Sequence, residues 1–298
     1  MLKNEWEHGR SYHSYRAGQY MLPNDETEQD RLDQKYQSIT LVFGGRLFFA
    51  PLENPKAILD IGTGTGIWAI DVADAYPQAV VTATDLSPIQ PTWVPPNVRF
   101  QVDDAELNWT FSTKFDLIHT LCMTGCIKDW DRLYEQAFEY AALTPMTLEH
   151  RTDTLFRNTK PGGYIECQEI SYVPSSQDGS LTPESAVLQW HYLQKEAAEK
   201  AGSPLITSGT LTKERLERAG YIDVVIKELA LPIGPWPADP TLKAAGYHQL
   251  CAMLKGVQGI SLRFFTRYLG WTVQEVDILV AKVRADWKKP SIHSYWPL

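Results

Sequence analysis

The sequence predicts an α/β fold: a doubly wound, mostly parallel sheet preceded by an N-terminal helical lid and followed by C-terminal helical additions. Three observations carry this expectation. Short apolar runs at 57–61, 80–84, 98–102, 115–121 and 163–167 alternate with helical stretches, the pattern of a parallel sheet covered on both faces. The first run holds Asp60 and leads into Gly62, Gly64 and Gly66 just before a helix, which suits a ligand turn at the C-terminal edge of such a sheet. The chain has 298 residues, 44% of them hydrophobic, enough for one large core or two small ones.

Each element follows from local chemistry. Residues 1–22 interleave Trp6, Tyr12, Tyr15 and Tyr20 with His8, Arg10, His13 and Arg16, composing either a lid over a site or an arm packed on the surface. Asp25 and Glu28 have capping-box spacing, and Leu32, Tyr36, Ile39 and Phe43 recur at helical spacing until Gly44-Gly45. Residues 1–50 thus form the lid, and 51–298 the main domain with a helical insertion at about 232–287. A helix at 68–76 follows the glycine turn. Past the Pro161-Gly162-Gly163 turn and the fifth run come helices at 184–201 and 211–219, a strand at 222–231 and a proline-rich bend at 232–240. Three helical stretches around 241–255, 261–269 and 273–287 then provide walls for a pocket.

Composition excludes several classes. Lys and Arg number 28 against 36 Asp and Glu, a formal charge of −8. That balance gives no general pull toward phosphate backbones or anionic lipid, so neither nucleic acid nor membrane is an expected partner. No apolar stretch approaches the roughly 18 residues of a membrane span, and the N-terminus lacks an apolar leader core. Cys122, Cys126, Cys167 and Cys251 lack C-x-x-C spacing, which fits reduced thiols in a cytoplasmic or nuclear protein. No metal is expected: Cys122 and Cys126 read as small core residues, and His191, His248 and His293 lack zinc spacing.

The chemistry concentrates in Ile58-Leu59-Asp60-Ile61-Gly62-Thr63-Gly64-Thr65-Gly66. Asp85 ends the next run, where a carboxylate can accept hydrogen bonds from both hydroxyls of a ribose. Two cofactors compete for this pattern. Gly64-x-Gly66-x-x-Ala69 satisfies the relaxed dinucleotide fingerprint, yet Asp60 would meet a pyrophosphate as a like charge. The same Asp60 suits the cationic methionine end of S-adenosylmethionine, directly or through water. Asp104-Ala105, after the third run, offers a carboxylate for the adenine amino group and a backbone amide for a ring nitrogen. S-adenosylmethionine is the expected cofactor, with Asp60, Gly62, Thr63, Gly64, Gly66, Asp85, Leu86, Asp104 and Ala105 as its candidate site.

Longer runs carry a resemblance. YHSYRAGQYMLPNDE at 12–26, LDIGTGTGIWAID at 59–71, TDLSPIQP at 84–91, IKDW at 127–130, KPGGYIE at 160–166 and SIHSYWP at 291–297 together resemble the LaeA-like fungal methyltransferases along nearly the whole chain. The resemblance implies a class I, Rossmann-like methyltransferase with a seven-strand sheet, S-adenosylmethionine binding and a role in or near fungal secondary metabolism. Two departures stand out. Relatives pass from the helix after the fourth strand almost directly into the Lys-Pro-Gly-Gly turn. Here about 17 residues near 140–156 intervene, against a usual connection of about 2–6. They read as a surface loop or as a retained short intron, since the codons of Glu139-Tyr140 and Phe156-Arg157 could spell splice sites. Relatives also continue past the Trp-Pro element into a final strand inserted between the fifth and sixth, whereas this sequence stops at Leu298. Without that strand main-chain groups would stay unpaired at roughly 1–3 kcal/mol each if buried, so impaired folding or activity is expected.

Methyl transfer from a sulfonium is an in-line displacement that relies on positioning in a dry pocket. A general base is needed only where the acceptor must lose a proton. His13, Tyr15 and His119 are the candidate bases, each with the alternative of a hydrogen-bonded structural residue. Two functional classes remain open. One is an enzyme methylating a small secondary metabolite; the other is a methyltransferase-like regulator acting through protein partners.

Overall fold

The computed structural model describes residues 4–138, 159–206 and 208–298. Its centre is a parallel five-stranded sheet in the order β5-β4-β3-β6-β7, formed by β3 (Ala57–Ile61), β4 (Val80–Asp85), β5 (Val98–Val102), β6 (Phe115–Leu121) and β7 (Thr159–Gln168). All five residues of β3 are buried, which is why that strand is a continuous apolar run without alternation. Ile58, Val81 and Leu117 pack on one face with Trp68 and Val72 of α2 (Ile67–Ala75). Leu59, Ile61 and Ile118 pack on the other with Trp130, Leu133 and Tyr134 of α3 (Trp130–Ala137).

A second layer covers the C-terminal edge of the sheet. It comprises α1 (Glu26–Val42), α4 (Ala186–Lys200), α6 (Pro240–Phe264), a π-helical turn (Phe265–Leu269) and α7 (Val273–Trp287), whereas α5 (Gly209–Ala219) packs beside α3 through Leu216. Trp190, Val257, Phe265, Val280 and Trp287 build its core. Ahead of α1, β1 (Glu5–Glu7) and β2 (Arg10–Tyr12) pair as an antiparallel hairpin, and β8 (Ala230–Pro232) pairs with β9 (Tyr295–Pro297) near the end of the chain. Glu7 ties the hairpin to the second layer through Arg263 at 2.7 Å, and Arg10 binds Asp25 at 2.6 and 2.8 Å.

Helix α1 lies along α6. Ser38 donates to the Ala245 carbonyl at 2.7 Å. Arg31 crosses Gly256, where a Cβ would stand 1.8 Å from its Cδ, so only glycine leaves room for that side chain. Arg31 is bound to Glu28 by two hydrogen bonds of 2.9 and 2.6 Å, and both side chains are buried at 4% and 1% exposure.

Several expectations need correction. Asp25 caps α1 by accepting from the Glu28 amide, but Glu28 turns to Arg31 instead of back to the cap, so the box is half formed. The stretches at 241–255 and 261–269 are one unbroken helix and its π-helical turn, because Gly256 and Gly259 admit Arg31 and Arg10 rather than breaking the backbone. The strand expected at 222–231 shrinks to β8. Ile222 and Val225 are each 85% exposed, so their apolar pattern meets no neighbouring strand among the described residues. The central sheet accordingly has five described strands where seven were expected. β7 begins before the Gly162-Gly163 turn, and its register with β6 shifts between Phe115 and Leu117. The insertion near 140–156 lies outside the described residues.

The buried Glu28–Arg31 pair gives a direct test of the second layer. Glu28→Ala would strand an unpaired guanidinium between α1 and α6, and is expected to lower the unfolding free energy by about 3–5 kcal/mol in urea titration.

Candidate active site

The glycine turn is held in shape by its neighbours. Gly62, Gly64 and Gly66 have φ of 70°, 59° and 82°, all in the left-handed region that a side chain disfavours. A Cβ at Gly62 would lie 2.1 Å from the Met123 sulfur, and one at Gly66 would lie 2.4 Å from the Phe100 ring. Asp85 fixes the bend: its Oδ2 accepts the Gly64 amide at 2.9 Å and its Oδ1 the Ser87 amide at 2.8 Å. Burial pushes the Asp85 carboxyl up to about 6 despite those two amides. Gln90 closes the other side, donating to the Gly64 carbonyl at 2.6 Å, and Thr65 donates to Asp33 of α1 at 2.7 Å.

The other two acids stand on neighbouring strands. Asp60, 2% exposed, accepts from His119 Nδ1 across the β3–β6 ladder at 2.8 Å. The His119 ring stacks on Trp68 at 3.6 Å and 4°, so Asp60 is oriented by a ring that is itself held flat. Asp104, past the end of β5, accepts the Glu106 amide at 3.0 Å, and Arg16 of the N-terminal arm stands 3.5 Å from its other oxygen. Glu106 in turn accepts the Lys128 and Asp129 amides, both at 2.9 Å, and Gln19 at 3.2 Å.

These residues surround a cavity of about 200 Å³, whose wall includes Asp60, Gly62, Thr63, Gly64, Asp85, Leu86, Asp104 and Ala105. Gly66 is one step behind it, at the N-terminus of α2. Thr63 Oγ1 is buried and has no hydrogen-bond partner, an opening for a polar ligand in an otherwise satisfied turn. None of the three candidate bases lines the cavity. Both His13 nitrogens face carbonyls within the arm, of Tyr15 at 2.6 Å and Tyr20 at 3.3 Å. His119 Nδ1 is bonded to Asp60 while its Nε2 is buried without a hydrogen-bond partner, and Tyr15 is half-buried elsewhere in the arm.

Sequence reasoning missed the residues that support the turn. Gln90 and Asp33 act through backbone and hydroxyl groups, for which spacing gives no signal. Arg16 and Gln19 reach the site only because the arm folds across it. Glu169, just past β7, was also missed. It accepts the Met123 and Thr124 amides at 3.0 Å each and the Thr120 hydroxyl at 3.3 Å, fixing the segment after β6. Burial pushes its carboxyl up to about 7 against those bonds.

The profile of a methyltransferase domain matches residues 31–224, a span that holds the glycine turn and all three acids. Methyltransferase pytC of Aspergillus terreus is 40% identical over 292 residues, 97% of this chain and 84% of that protein. The secondary metabolism regulator laeA of Aspergillus fumigatus is 34% identical over 293 residues, 97% of this chain and 73% of its own. LAE1 of Cochliobolus heterostrophus, also named a secondary metabolism regulator, is 34% identical over 300 residues, 98% and 92% of the two chains. The chain belongs to the LaeA-like fungal methyltransferases, with S-adenosylmethionine as the methyl donor.

The His119–Asp60 bond can be tested apart from catalysis. His119→Phe keeps an aromatic ring against Trp68 but removes the donor to a buried carboxylate. The expected loss is about 1–3 kcal/mol of stability by urea unfolding, with an unchanged midpoint as the contrary result.

Proposed function

We propose that the chain methylates a small molecule, with Asp60, Asp85 and Asp104 binding successive parts of the donor. The observation that carries this reading is the Asp85 carboxylate, which braces Gly64 and Ser87 while lining the cavity. A carboxylate oxygen has lone pairs beyond the one each amide uses, so Asp85 can brace the turn and still accept ribose hydroxyls. Asp104 and the Ala105 amide suit the adenine edge, and Asp60 suits the ammonium of the amino-acid end. The partnerless Thr63 hydroxyl and the positive-φ cradle fit a ligand at this place. When bound, the donor supplies an electrophilic methyl on a sulfonium. The protein's own contribution is orientation and exclusion of water: Gln19, Tyr20 and Met21 of the arm line the cavity and would cover a bound donor. Residues 1–50 act as a lid in this reading.

A small-molecule acceptor is favoured because the far side of the cavity is closed by buried side chains of α4, α6 and β9, among them Gln194, Met253 and Trp296. The regulator relatives keep a second reading alive, in which the same domain acts through protein partners. No helix of the described residues is long and apolar enough to cross a membrane. Metabolite profiles of a deletion strain separate the readings: loss of one methylated product supports the enzyme, and change across many unrelated products supports the regulator.

Calorimetric titration with S-adenosylhomocysteine tests the donor site, and its pH dependence tests Asp85. Ribose hydroxyls favour the ionised carboxylate, so with a carboxyl near 6 the affinity should fall about tenfold from pH 7.5 to pH 5. Stability of the free protein has the opposite sign. A raised acid favours the folded state while protonated, and that stabilisation is lost as pH rises from about 4 through 6. In Asp85→Asn the affinity should be at least about tenfold weaker at neutral pH and flat across the window. A wild-type affinity independent of pH would contradict the assignment.

A further inference from the structure

The cavity does not end at the glycine turn. Beyond Leu121 and Cys122 it continues as a chamber walled by Ile170, Tyr172, Met253, Ile260, Phe264 and Trp296. Two cations of α1, Arg31 and Lys35, belong to the same wall. Arg31 is spent, since Glu28 takes its Nε and Nη2. Lys35, one turn further along, is half-buried and forms no ion pair among the described residues. Its titratable neighbours are the Cys122 thiol, which it offsets against burial, then Cys126 after β6 and Glu169 past β7. The Glu169 oxygens are already engaged by the Met123 and Thr124 amides and the Thr120 hydroxyl.

Two further observations concern the same chamber. Cys122 holds φ at 55°, a left-handed conformation that is uncommon away from glycine and concentrates at functional sites. Gln194 and Gln249, 2% and 1% exposed, line the cavity, and the amide oxygen of each is buried without a hydrogen-bond partner. Buried acceptors of this kind call for a donor.

We propose that the methyl acceptor is a compact, largely apolar molecule with an acidic hydroxyl on an sp² carbon, a phenol or an enol. It binds as its oxyanion against Lys35, and hydrogen-bond donors on its far edge meet Gln194 and Gln249. This rests on the cavity being the methyl-transfer site. The acceptor sheds its proton to bulk water before the anion binds, so the protein needs no general base, in keeping with the absence of His13, Tyr15 and His119 from the cavity wall. An aliphatic alcohol is rejected because it does not ionise near neutral pH, and a lysine charge cannot make up that difference in a partly solvated site. The low dielectric of an apolar chamber strengthens the attraction of an anion to Lys35, while neutral apolar molecules gain nothing from it.

The test uses the whole chain saturated with S-adenosylhomocysteine and 4-nitrophenol as the probe, whose phenolate absorbs near 400 nm. Bound 4-nitrophenol is expected to ionise at least about one pH unit below the free probe, equivalent to about tenfold preference for the anion. In Lys35→Met that lowering should vanish while S-adenosylhomocysteine still binds. Lys35→Gln serves as a second variant should the first fail to fold, and the wild-type shift stands as a test on its own. The proposal is overturned if the bound probe ionises at or above its free value, if either folded variant keeps the lowering, or if no probe binds at millimolar concentration while S-adenosylhomocysteine does. Failure of S-adenosylhomocysteine itself to bind would instead overturn the donor-site reading, and this proposal with it.

Discussion

The site depends on one half-buried carboxylate on the cavity wall, which braces the glycine turn. Asp85 stays at the tip of β4 because the Gly64 and Ser87 amides each donate to it, and those same bonds hold the glycine turn of the preceding strand in its left-handed bends. Remove the carboxylate and two amides lose their acceptor, while three positive-φ residues lose the brace that joins them to the next strand. The fold therefore uses a partly desolvated carboxylate to shape a backbone cradle, and the cradle is useful only if a ligand occupies it. Strain and burial concentrated at one strand edge are what a binding site requires and a purely structural turn avoids.

Around that brace the remaining groups fall into place by topology. In a parallel sheet every strand delivers its C-terminal end to the same edge, so Asp60, Asp85 and Asp104 converge although they lie far apart in the chain. Each acid is then aimed by a different device. A stacked imidazole orients Asp60, backbone amides hold Asp85, and Asp104 accepts the Glu106 amide with Arg16 nearby. The N-terminal arm is not an appendage in this arrangement. Arg16 and Gln19 reach Asp104 and Glu106, Thr65 is joined to Asp33 of α1, and Glu7 fastens the hairpin to Arg263. These bonds tie the first fifty residues to the cavity wall at several points.

Much of this was legible in the sequence, for identifiable reasons. The core strands β3 to β6 were readable because burial on both faces makes them continuous apolar runs, and the glycine turn because only glycine tolerates its φ values. The acids were readable because their place at strand ends has few structural uses. What escaped has a physical cause in each case. Ile222 to Leu231 has the composition of a strand, yet a strand exists only when a neighbour offers its amides, and composition does not encode the neighbour. The stretches at 241–255 and 261–269 read as separate because the role of Gly256 and Gly259 between them is set by Arg31 and Arg10, which come from distant segments. His13, Tyr15 and His119 are open between base and structural residue because their chemistry is visible in the sequence and their hydrogen-bond partners are not; none of them lines the cavity.

The central claim is that the three carboxylates grip the methyl donor from its amino-acid end to its purine. A crystal structure of the chain with S-adenosylhomocysteine measures this most directly. The account predicts ribose hydroxyls within hydrogen-bond distance of Asp85, the adenine edge at Asp104 and Ala105, and the ammonium end at Asp60 with the His119 bond intact. A ligand lodged elsewhere, or an Asp85 side chain turned away from the turn toward solvent, would contradict it.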